Sequence, residues 1–543
     1  MRAFARLFLV AILGLTVTSC GGGIPETEKA AQEGILLMGN GSEPKGLDPH
    51  LVTGVPESTI IRSLLEGLIA SHPTNDLEPA PGMAESWESN EDFSVWTFHL
   101  RDAQWSNGDP VLASDFVYSW QRILSPELGA EYAPMLYLIE NAEQFNRGEI
   151  EDFSQVGVKA LDDKTLQVTL QGSTPHFLNV IKHTSYFPVN PRAVEENGGM
   201  LDRQSGWSTF ENYVGNGAFQ LKEWVTNQVI EVERSPTYWD AETVRLNGIR
   251  FYPIDNANTE ETMFRNDRLH MTNTVNPDKI PFFQEEMPEE MSITPYLGVY
   301  FYRLNVTREP FTDVRVRRAL ALALDKQTIV ERVTKGGQAP ATGFVPAGIP
   351  GYEPSTAVQY DPDEARRLLA EAGYAGGEGF PRTEIMINTS EAHRKIAEAI
   401  QALWREELGI DVGIYNQEWK VYLDSQSNLD YDISRSAWIG DFVYPSTFTD
   451  MFTTGNGNND TGWSNTRYDA LVAQSWVAET EEERMELFHE AEDLLLEEMP
   501  IIPIYWYTRV KLMSPMVQEW HPKLLDAHPY KYVWLQPNGD AGE

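Results

Sequence analysis

The alternation of hydrophobic and polar residues predicts a mixed α/β chain. Runs in which β-branched and aromatic residues partly alternate with polar ones indicate strands at 94–100, 165–170 and 249–254. Apolar residues three and four positions apart indicate helices at 313–333, 362–374, 393–408 and 481–499. Strands and helices are mixed along all 543 residues, without a repeat period or a long low-complexity linker. We therefore expect about two to four compact units that are interwoven along the chain.

The N-terminus carries a short apolar run. Arg2 and Arg6 precede LFLVAILGL, which is too short to cross a bilayer as a helix and has the length of a signal-peptide core. The run ends in VTSC, and Cys20 is the only cysteine in the chain. This segment resembles the lipobox of bacterial lipoproteins, which implies cleavage before Cys20 and a diacylglycerol on its thiol. We predict a signal peptide at 1–19 and a flexible tether at 20–34; a plain secretory signal is the alternative.

The charge of the chain argues against nucleic acid as a partner. The formal net charge is −39, and removal of 1–19 leaves 40 basic against 81 acidic side chains, or −41. Such a surface repels nucleic acids and anionic lipid headgroups. With one cysteine the chain forms no internal disulfide, so its stability must come from a hydrophobic core.

Catalytic signatures are sparse in the sequence. GxSxG, GxxxxGK[ST], HExxH and CxxC motifs are absent, and the ten histidines lack the close pairing of a helical zinc site. We expect no enzyme activity, no cofactor and no metal. However, acids are numerous, and 15 Trp with 22 Tyr would suit a carbohydrate cleft. A secreted glycosidase therefore remains an alternative on composition alone.

One acid stands in unusual surroundings. Asp441, in SAWIGDFVYP, lies among small, apolar and aromatic residues, where a carboxylate needs a partner to offset its desolvation. The alternative is a turn or capping residue ahead of YPSTF. The local sequence alone favours the turn or capping role, and a ligand as the partner of Asp441 stays open at this point.

A family resemblance runs through the chain from about residue 35 to about 515. The segments that carry it are, in order, NGSEPKGLDPH, GVPES, EGL, AESW, VWTFHLRDAQWSNGDPVLASDFVYSWQR, GVKALDDKTLQVTL, NGAF, PTYWD, PFTDVRVRRALALALD, NTSEAHRKIA and QEWKVYLD. They resemble the periplasmic oligopeptide-binding proteins of ABC peptide importers, which belong to solute-binding protein family 5. Single segments such as NGAF would mean nothing alone, but the collinear series identifies the family.

The resemblance implies a two-lobed α/β protein with the periplasmic-binding-protein type II fold. Three interwoven domains are expected, with a hinge that closes the lobes over the ligand. Carried over to this chain, the domains are expected at 24–65 with 191–297 and 508–543 (domain I), at 66–190 (domain II) and at 298–507 (domain III). A cleft between domains is also where ligand sites tend to occur.

The resemblance also assigns a role to Asp441. In the family an aspartate at the matching position pairs with the α-ammonium of the bound peptide, an ion pair that is strong when shielded from water. Ala437 and Trp438, like Gly54 and Val55, match segments whose backbone pairs with the peptide as an added strand. Because main-chain hydrogen bonds are the same for every residue type, little sequence selectivity is expected.

Further positions match side-chain sites of the family. The matching aromatic residues are Tyr132, Tyr296, Phe301, Trp419 and Tyr507, for which plain core packing is the alternative. His393 and Arg435 match basic residues that meet the carboxylate of peptides of different lengths. Their alternatives are a surface helix histidine and a strand-edge salt bridge.

Several positions depart from the enterobacterial members. Gly298 and Ile439 stand where those members have two disulfide-bonded cysteines. Gln426 replaces an arginine, Thr334 a lysine, Thr53 a glutamate and Asn273 a tyrosine, while Lys335 follows Thr334 and could substitute. Losing cationic partners is expected to weaken any fixed preference for peptide length.

The sequence thus predicts a monomeric, lipid-anchored, extracytoplasmic solute-binding protein. It would capture short peptides and deliver them to an ABC transporter permease. The alternatives within the family are other cargoes, namely murein peptide, metal chelate or haem, of which haem lacks the free amino group that Asp441 would bind.

Overall fold

The protein is described by a computed structural model that covers residues 24–538. The predicted signal peptide and Cys20 lie outside these residues. The helices are α1 Glu26–Glu33, α2 Val55–Leu64, α3 Ala113–Leu124, α4 Ala142–Asn146, α5 Phe177–Val180, α6 Pro191–Glu196, α7 Ala257–Arg265, α8 Ile280–Glu286, α9 Val314–Leu322, α10 Lys326–Thr328, α11 Pro362–Glu371, α12 Glu391–Leu408, α13 Trp419–Ser427, α14 Ser446–Thr449, α15 Thr466–Val477 and α16 Glu481–Glu498. A π-helical segment, Ile329–Thr334, follows α10.

The strands complete the element order. They are β1 Ile35–Gly39, β2 Ile69–Ser71, β3 Pro79–Pro81, β4 Ala84–Ser89, β5 Val95–Leu100, β6 Val158–Asp162, β7 Thr165–Thr169, β8 Phe219–Val225, β9 Val229–Arg234, β10 Gly248–Tyr252, β11 Met291–Leu304, β12 Ala339–Pro340, β13 Thr383–Asn388, β14 Val412–Gln417, β15 Ile433–Ile439, β16 Ile501–Leu512, β17 Val517–Gln518 and β18 Trp534–Leu535. Short 3₁₀ segments occur at 126–128, 133–138, 153–155, 184–186, 206–208, 277–279, 375–377 and 450–452.

Three larger sheets organise the chain. The first has the order β1-β10-β9-β8, the second β4-β5-β7-β6, and the third, with six strands, β12-β16-β11-β15-β13-β14. In the first sheet β1 and β10 are parallel although more than 200 residues separate them. The strands of the second sheet lie between β1 and β10 in sequence, so the first sheet is built from segments on both sides of them. This interweaving is what the absence of linkers predicts.

Two long strands are neighbours in the third sheet. β11 and β16 are antiparallel and pair from Met291 with Leu512 to Arg303 with Ile501. The predicted domain boundaries at 297/298 and 507/508 fall inside these strands, and the pairing is irregular between Pro295 and Val299. The boundaries themselves stay predictions.

The predicted helices and strands are built on the expected periodicities. Along β5 every second residue is buried, so Trp96, Phe98 and Leu100 face the core. Along α12 the buried residues Ile396, Ile400 and Trp404 recur at four-residue spacing. Periodicity in these segments therefore places the core faces correctly.

Two predictions about local structure are wrong. The helix expected at 313–333 ends at Leu322, because the Asp325 side chain accepts a hydrogen bond from Thr328 N at 3.0 Å and begins a new helix. The tether expected at 20–34 contains α1, in which Thr27, Ala30 and Ala31 are buried. Residues 26–33 therefore belong to the folded body.

In the part of the chain that the structure describes, no helix has the length and apolarity to cross a bilayer.

Candidate ligand-binding site

A cavity of about 380 Å³ is lined by residues of the first and third sheets and of the segments around them. Its wall includes the end of β1, the start of α2, residues of α13, the second half of β15, and the segment that follows β16. Glu131, Tyr132 and His183 reach it from the side of the second sheet. A concave space of this size between units suits a small ligand.

Asp441 occupies one end of the cavity, two residues after β15. Its side chain is only 8% exposed. Oδ1 accepts a hydrogen bond from the Tyr132 hydroxyl at 3.1 Å, and Oδ2 accepts one from the Thr447 hydroxyl at 3.1 Å. Among residues 24–538 no lysine or arginine forms an ion pair with it. The carboxylate is therefore shielded from water without a direct ion pair, and the fixed positive charge of Arg62, which lines the same cavity, acts on Asp441 at longer range.

His183 completes the surroundings of Asp441. Its Nε2 lies 3.2 Å from Asp441 Oδ1, and its Nδ1 accepts a hydrogen bond from Ser185 N at 3.3 Å. Since Nδ1 accepts, Nε2 carries the proton and donates to the carboxylate, so a neutral imidazole satisfies both contacts. His183 and Tyr132 approach Asp441 from across the cavity. Sequence analysis missed His183, because IKHTSYFP carries no motif that would mark it.

One edge of β15 is open to the cavity. β15 pairs with β11 along its whole length, from Ile433 to Ile439, but with β13 only at Ile433 and Ser434. Ala437 and Trp438 line the cavity in the second half of the strand. In the described part of the chain, no strand pairs with this half on the side opposite β11. Such an edge can accept an extended peptide backbone as an added strand.

The wall opposite this edge is the start of α2. Gly54 precedes α2 with an extended backbone, and Val55 is its first residue. A Cβ at Gly54 would lie 3.1 Å from Trp419 Cζ2, so the missing side chain lets α13 approach α2 closely. Gly54, Val55 and Trp419 all line the cavity, as the resemblance implied.

Arg435 occupies a different part of the cavity wall. Its guanidinium donates to Asn388 Oδ1 at 3.2 Å and to the Tyr507 hydroxyl at 3.1 Å, and it lies 4.9 Å from the centre of the Tyr300 ring. Within residues 24–538 it makes no ion pair with a carboxylate, and its buried Nε has no hydrogen-bond partner. The expected alternative, a strand-edge salt bridge, is therefore not what the geometry shows.

His393 lines the same region as Arg435. It lies near the start of α12, and its buried Nδ1 has no hydrogen-bond partner in the described chain. Burial and the neighbouring Arg435 guanidinium lower the pKa of His393 well below its usual value, so its imidazole is neutral near pH 7. This end of the cavity thus offers hydrogen-bond donors and one fixed positive charge.

The matched aromatic residues divide into two groups. Tyr132, Tyr296, Trp419 and Tyr507 line the cavity, and the rings of Tyr296 and Tyr507 pack edge to face at 6.1 Å. Phe301 does not line it: the side chain is fully buried and packs against Phe344 at 5.1 Å between ring centres. Its predicted contact with a ligand is wrong, because this packing encloses the ring in the core.

The departures from the family pattern have local explanations. The Gln426 amide donates to the Tyr422 and Ser434 hydroxyl oxygens, and the Asn273 side chain accepts from Arg509 at 2.8 Å. Lys335 does not line the cavity; its Nζ pairs with Asp278 at 3.2 Å, so it does not substitute for the missing lysine.

The positions of the family's two cysteines face each other in this chain. Gly298 and Ile439 are direct cross-strand partners in β11 and β15. A Cβ at Gly298 would lie 2.5 Å from Ile439 Cδ1, so the isoleucine occupies the space that a second side chain would need. Packing replaces the covalent bond at this position.

Among residues 24–538, no group of three or more His, Cys, Asp or Glu side chains could hold a metal ion.

Comparisons with known proteins agree with this architecture. Residues 78–460 match the family model described as bacterial extracellular solute-binding proteins, family 5 Middle. The periplasmic oligopeptide-binding protein OppA of Salmonella typhimurium is 39% identical over 509 residues, which are 91% of each chain. The structure of Haemophilus influenzae OppA in complex with RPPGFSPFR superimposes with a TM-score of 0.88 at 35% identity, covering 93% of this chain and 99% of that one.

A third relative was solved in two forms that bear on the lobe arrangement. The Escherichia coli murein tripeptide-binding protein MppA superimposes with a TM-score of 0.87 at 34% identity, covering 92% of this chain and 98% of that one. The unliganded open form of MppA superimposes with a TM-score of only 0.63 at the same sequence identity, covering 93% of this chain and 98% of that one. The chain thus has the two-lobed fold of these proteins, in an arrangement unlike the open form.

Proposed function

The chain belongs to family 5 of the bacterial extracellular solute-binding proteins, and from that premise we propose that it captures short peptides and delivers them to an ABC transporter permease. The relatives to which it is similar are named as peptide-binding proteins, which favours a binding role over an enzymatic one. Peptides would be held between the lobes with little sequence selectivity. The proposal includes an extracytoplasmic, monomeric protein that is anchored through lipid on Cys20.

The observation that carries this proposal is the shielded carboxylate of Asp441. It accepts hydrogen bonds from Tyr132 and Thr447 and is 8% exposed, yet no lysine or arginine in the described chain pairs with it. Arg62 acts on Asp441 only at longer range, and a shielded carboxylate without a direct ion pair is costly, so a peptide's α-ammonium would supply the contact that is missing. This contact fixes the N-terminus of the peptide without reading its sequence.

The other features of the cavity extend the same argument along the peptide. The open edge of β15 would pair with the peptide backbone, and Arg435 would meet its terminal carboxylate. Arg435 and Asp441 are six residues apart, so their Cα atoms are separated by at most roughly 20 Å. An extended peptide of about six residues spans that Cα separation.

A murein peptide is the second candidate, because a relative is named for that cargo and a free α-amino group would satisfy Asp441 equally. Native mass spectrometry of the purified protein, with fragmentation of whatever is released, distinguishes the candidates. We expect a mixture of peptides in the unmodified protein and their loss in the Asp441→Asn variant. A single non-peptide species bound equally by both proteins would contradict the proposal.

A further inference from the structure

A second, smaller cavity of about 40 Å³ lies beside the Asp441 carboxylate, and we refer to it as the side chamber. It shares Glu131, Tyr132, Trp438, Asp441 and Asn458 with the main cavity. Three of the residues that line it carry carboxyl groups, namely Glu131, Asp441 and Asp450. None of the described residues that line it is a lysine, arginine or histidine. The main cavity, in contrast, is lined by five acids, six lysines and arginines, and three histidines.

Asp450 is the acid of the side chamber that the ammonium anchor does not use. Its carboxyl group accepts two long hydrogen bonds, from Trp476 Nε1 at 3.3 Å and from the Thr449 hydroxyl at 3.4 Å. Across residues 24–538 it forms no ion pair. Burial raises the pKa of Asp450 to about 7, which shows how poorly its surroundings stabilise the charge. A half-buried acid that lines a cavity, with weak hydrogen bonds and no ion pair, indicates a partner outside the protein.

Glu131 adds to the negative character of the side chamber. Burial, and then the neighbouring Asp460, raise the pKa of Glu131. Like Asp450, Glu131 forms no direct ion pair in the described chain, and Lys45, Arg203 and Arg303 act on it only at longer range. It lines both cavities, so it lies along the route by which a ligand side chain would enter. Two unpaired acids, beside one already assigned to an ammonium, favour a second positive charge on the ligand.

The rest of the side chamber is apolar. Its wall is formed by Pro134, Met135, Leu138, Val180, Phe442 and Met451. Methionine and aliphatic side chains suit a hydrocarbon stem, whereas the carboxyl groups suit a charged tip. The combination matches a side chain that is apolar along its length and cationic at its end.

We propose that the side chamber binds the basic side chain of the ligand's first residue, with the terminal cation at Asp450. This inference rests on the proposed function, because it places the α-ammonium of the same residue at Asp441. The volume favours lysine over arginine. A water-sized group occupies roughly 10–15 Å³ of cavity volume, so the side chamber holds about three or four such groups. A lysine side chain has four heavy atoms beyond Cβ, whereas an arginine side chain has more.

Calorimetric titration with four peptides tests the inference. Lys-Ala-Ala carries the cation at the first residue, norleucine-Ala-Ala has nearly the same shape without the charge, Ala-Ala-Lys carries the charge elsewhere, and Ala-Ala-Ala reports ordinary binding. We expect Lys-Ala-Ala to bind roughly tenfold or more tightly than norleucine-Ala-Ala. We expect this preference to fall to within about twofold in Asp450→Asn.

Asp255→Asn is the matched control, since Asp255 is exposed and lines neither cavity. It should keep the full preference for Lys-Ala-Ala. Equal affinities of Lys-Ala-Ala and norleucine-Ala-Ala in the unmodified protein would overturn the inference and show that the side chamber takes a neutral side chain. That comparison needs no variant, so poor folding of Asp450→Asn does not prevent the test. Failure of all four peptides to bind would instead overturn the proposed function.

Discussion

The cavity has an acidic end and a basic end, and within the described chain neither Asp441 nor Arg435 forms a direct ion pair with a group of fixed opposite charge. At one end Asp441 accepts hydrogen bonds from Tyr132 and Thr447, with Arg62 acting on it only at longer range, and the adjoining side chamber contains carboxyl groups without a base among its described residues. At the other end Arg435 is surrounded by an amide and tyrosine rings without a carboxylate, beside a neutral His393. A zwitterionic ligand would neutralise both ends, whereas a uniformly charged or neutral ligand would leave one unpaired.

The contrast also explains why the strongly acidic surface does not determine the ligand. The formal charge of −39 belongs to the chain as a whole. The main cavity, however, combines five acids, namely Glu57, Glu131, Asp441, Asp460 and Asp526, with a comparable set of lysines and arginines. Recognition therefore depends on where unpaired groups lie within the cavity, and the predictions below address those groups one at a time.

The largest effect is expected at the acidic end. Asp441→Asn should weaken the binding of Ala-Ala-Ala by about 3 to 5 kcal/mol, because an amide leaves the α-ammonium shielded and unpaired. Calorimetry gives the affinity. Asp424→Asn is a suitable control, since Asp424 is exposed and pairs only with Lys45. Affinity within about threefold of the unmodified protein would contradict the anchoring role of Asp441.

A smaller effect is expected at the basic end. Arg435→Gln should weaken binding of peptides whose carboxylate reaches it by about 1.5 to 3 kcal/mol, because a charged hydrogen bond is lost. The variant should also bind a C-terminally amidated peptide as well as the free acid. Arg382→Gln, at a side chain that is 88% exposed, is the control. A variant that still prefers the free acid would show that another group binds the carboxylate.

The side chamber should make stability depend on pH. The raised pKa of Asp450, about 7 against an ordinary 3.8, means that the folded, ligand-free protein retains its proton more tightly than the unfolded chain. Stability from this group is present below about pH 4 and is lost as the pH rises through 7. Asp450→Asn should therefore be more stable than the unmodified protein at pH 8, by roughly 2 kcal/mol or more.

Denaturant unfolding at pH 4 and pH 8 measures this difference. Glu131 and Asp441 line the same chamber and are unchanged in the variant, so they cancel in the comparison. The difference between variant and unmodified protein should shrink at pH 4, where Asp450 is protonated in both states. An equal difference at the two pH values would show that Asp450 is ionised in the folded protein as readily as in the unfolded chain.

The smallest effect is expected at Lys335. Its Nζ pairs with Asp278 outside the cavity, so Lys335→Gln should leave peptide affinity within about twofold. The measurement is again calorimetric, with peptides of two to six residues. A loss of affinity confined to one peptide length would show that Lys335 moves into the cavity when ligand binds.

Much of the fold could be predicted because local patterns and burial agree. The alternation in β5 and the four-residue spacing in α12 place their core faces without tertiary information. The helix break at Asp325 depends on one capping side chain, which periodicity does not detect. Residues 26–33 lie in a segment that was expected to be a tether because its composition is polar. In the structure, however, Thr27 O accepts a hydrogen bond from His270 Nε2 at 3.0 Å. Such docking is a tertiary effect.

The site was predicted less evenly. Asp441 stood out because a charge among apolar residues needs a partner, and the resemblance supplied that partner. Phe301 was predicted as a cavity residue, but its ring packs against Phe344, a contact with a distant segment that the local sequence does not reveal. His183 and Asp450 were missed because nothing in their local sequence marks them. Their roles follow only from distant segments that meet around Asp441.

The central claim is that Asp441 binds the α-ammonium of the ligand, and a cycle of two changes tests it most directly. Ala-Ala-Ala and its N-acetylated form are each titrated into the unmodified protein and into Asp441→Asn. We predict that acetylation weakens binding by about a hundredfold or more in the unmodified protein and by less than about threefold in the variant. If acetylation costs the same in both proteins, Asp441 does not bind the ammonium.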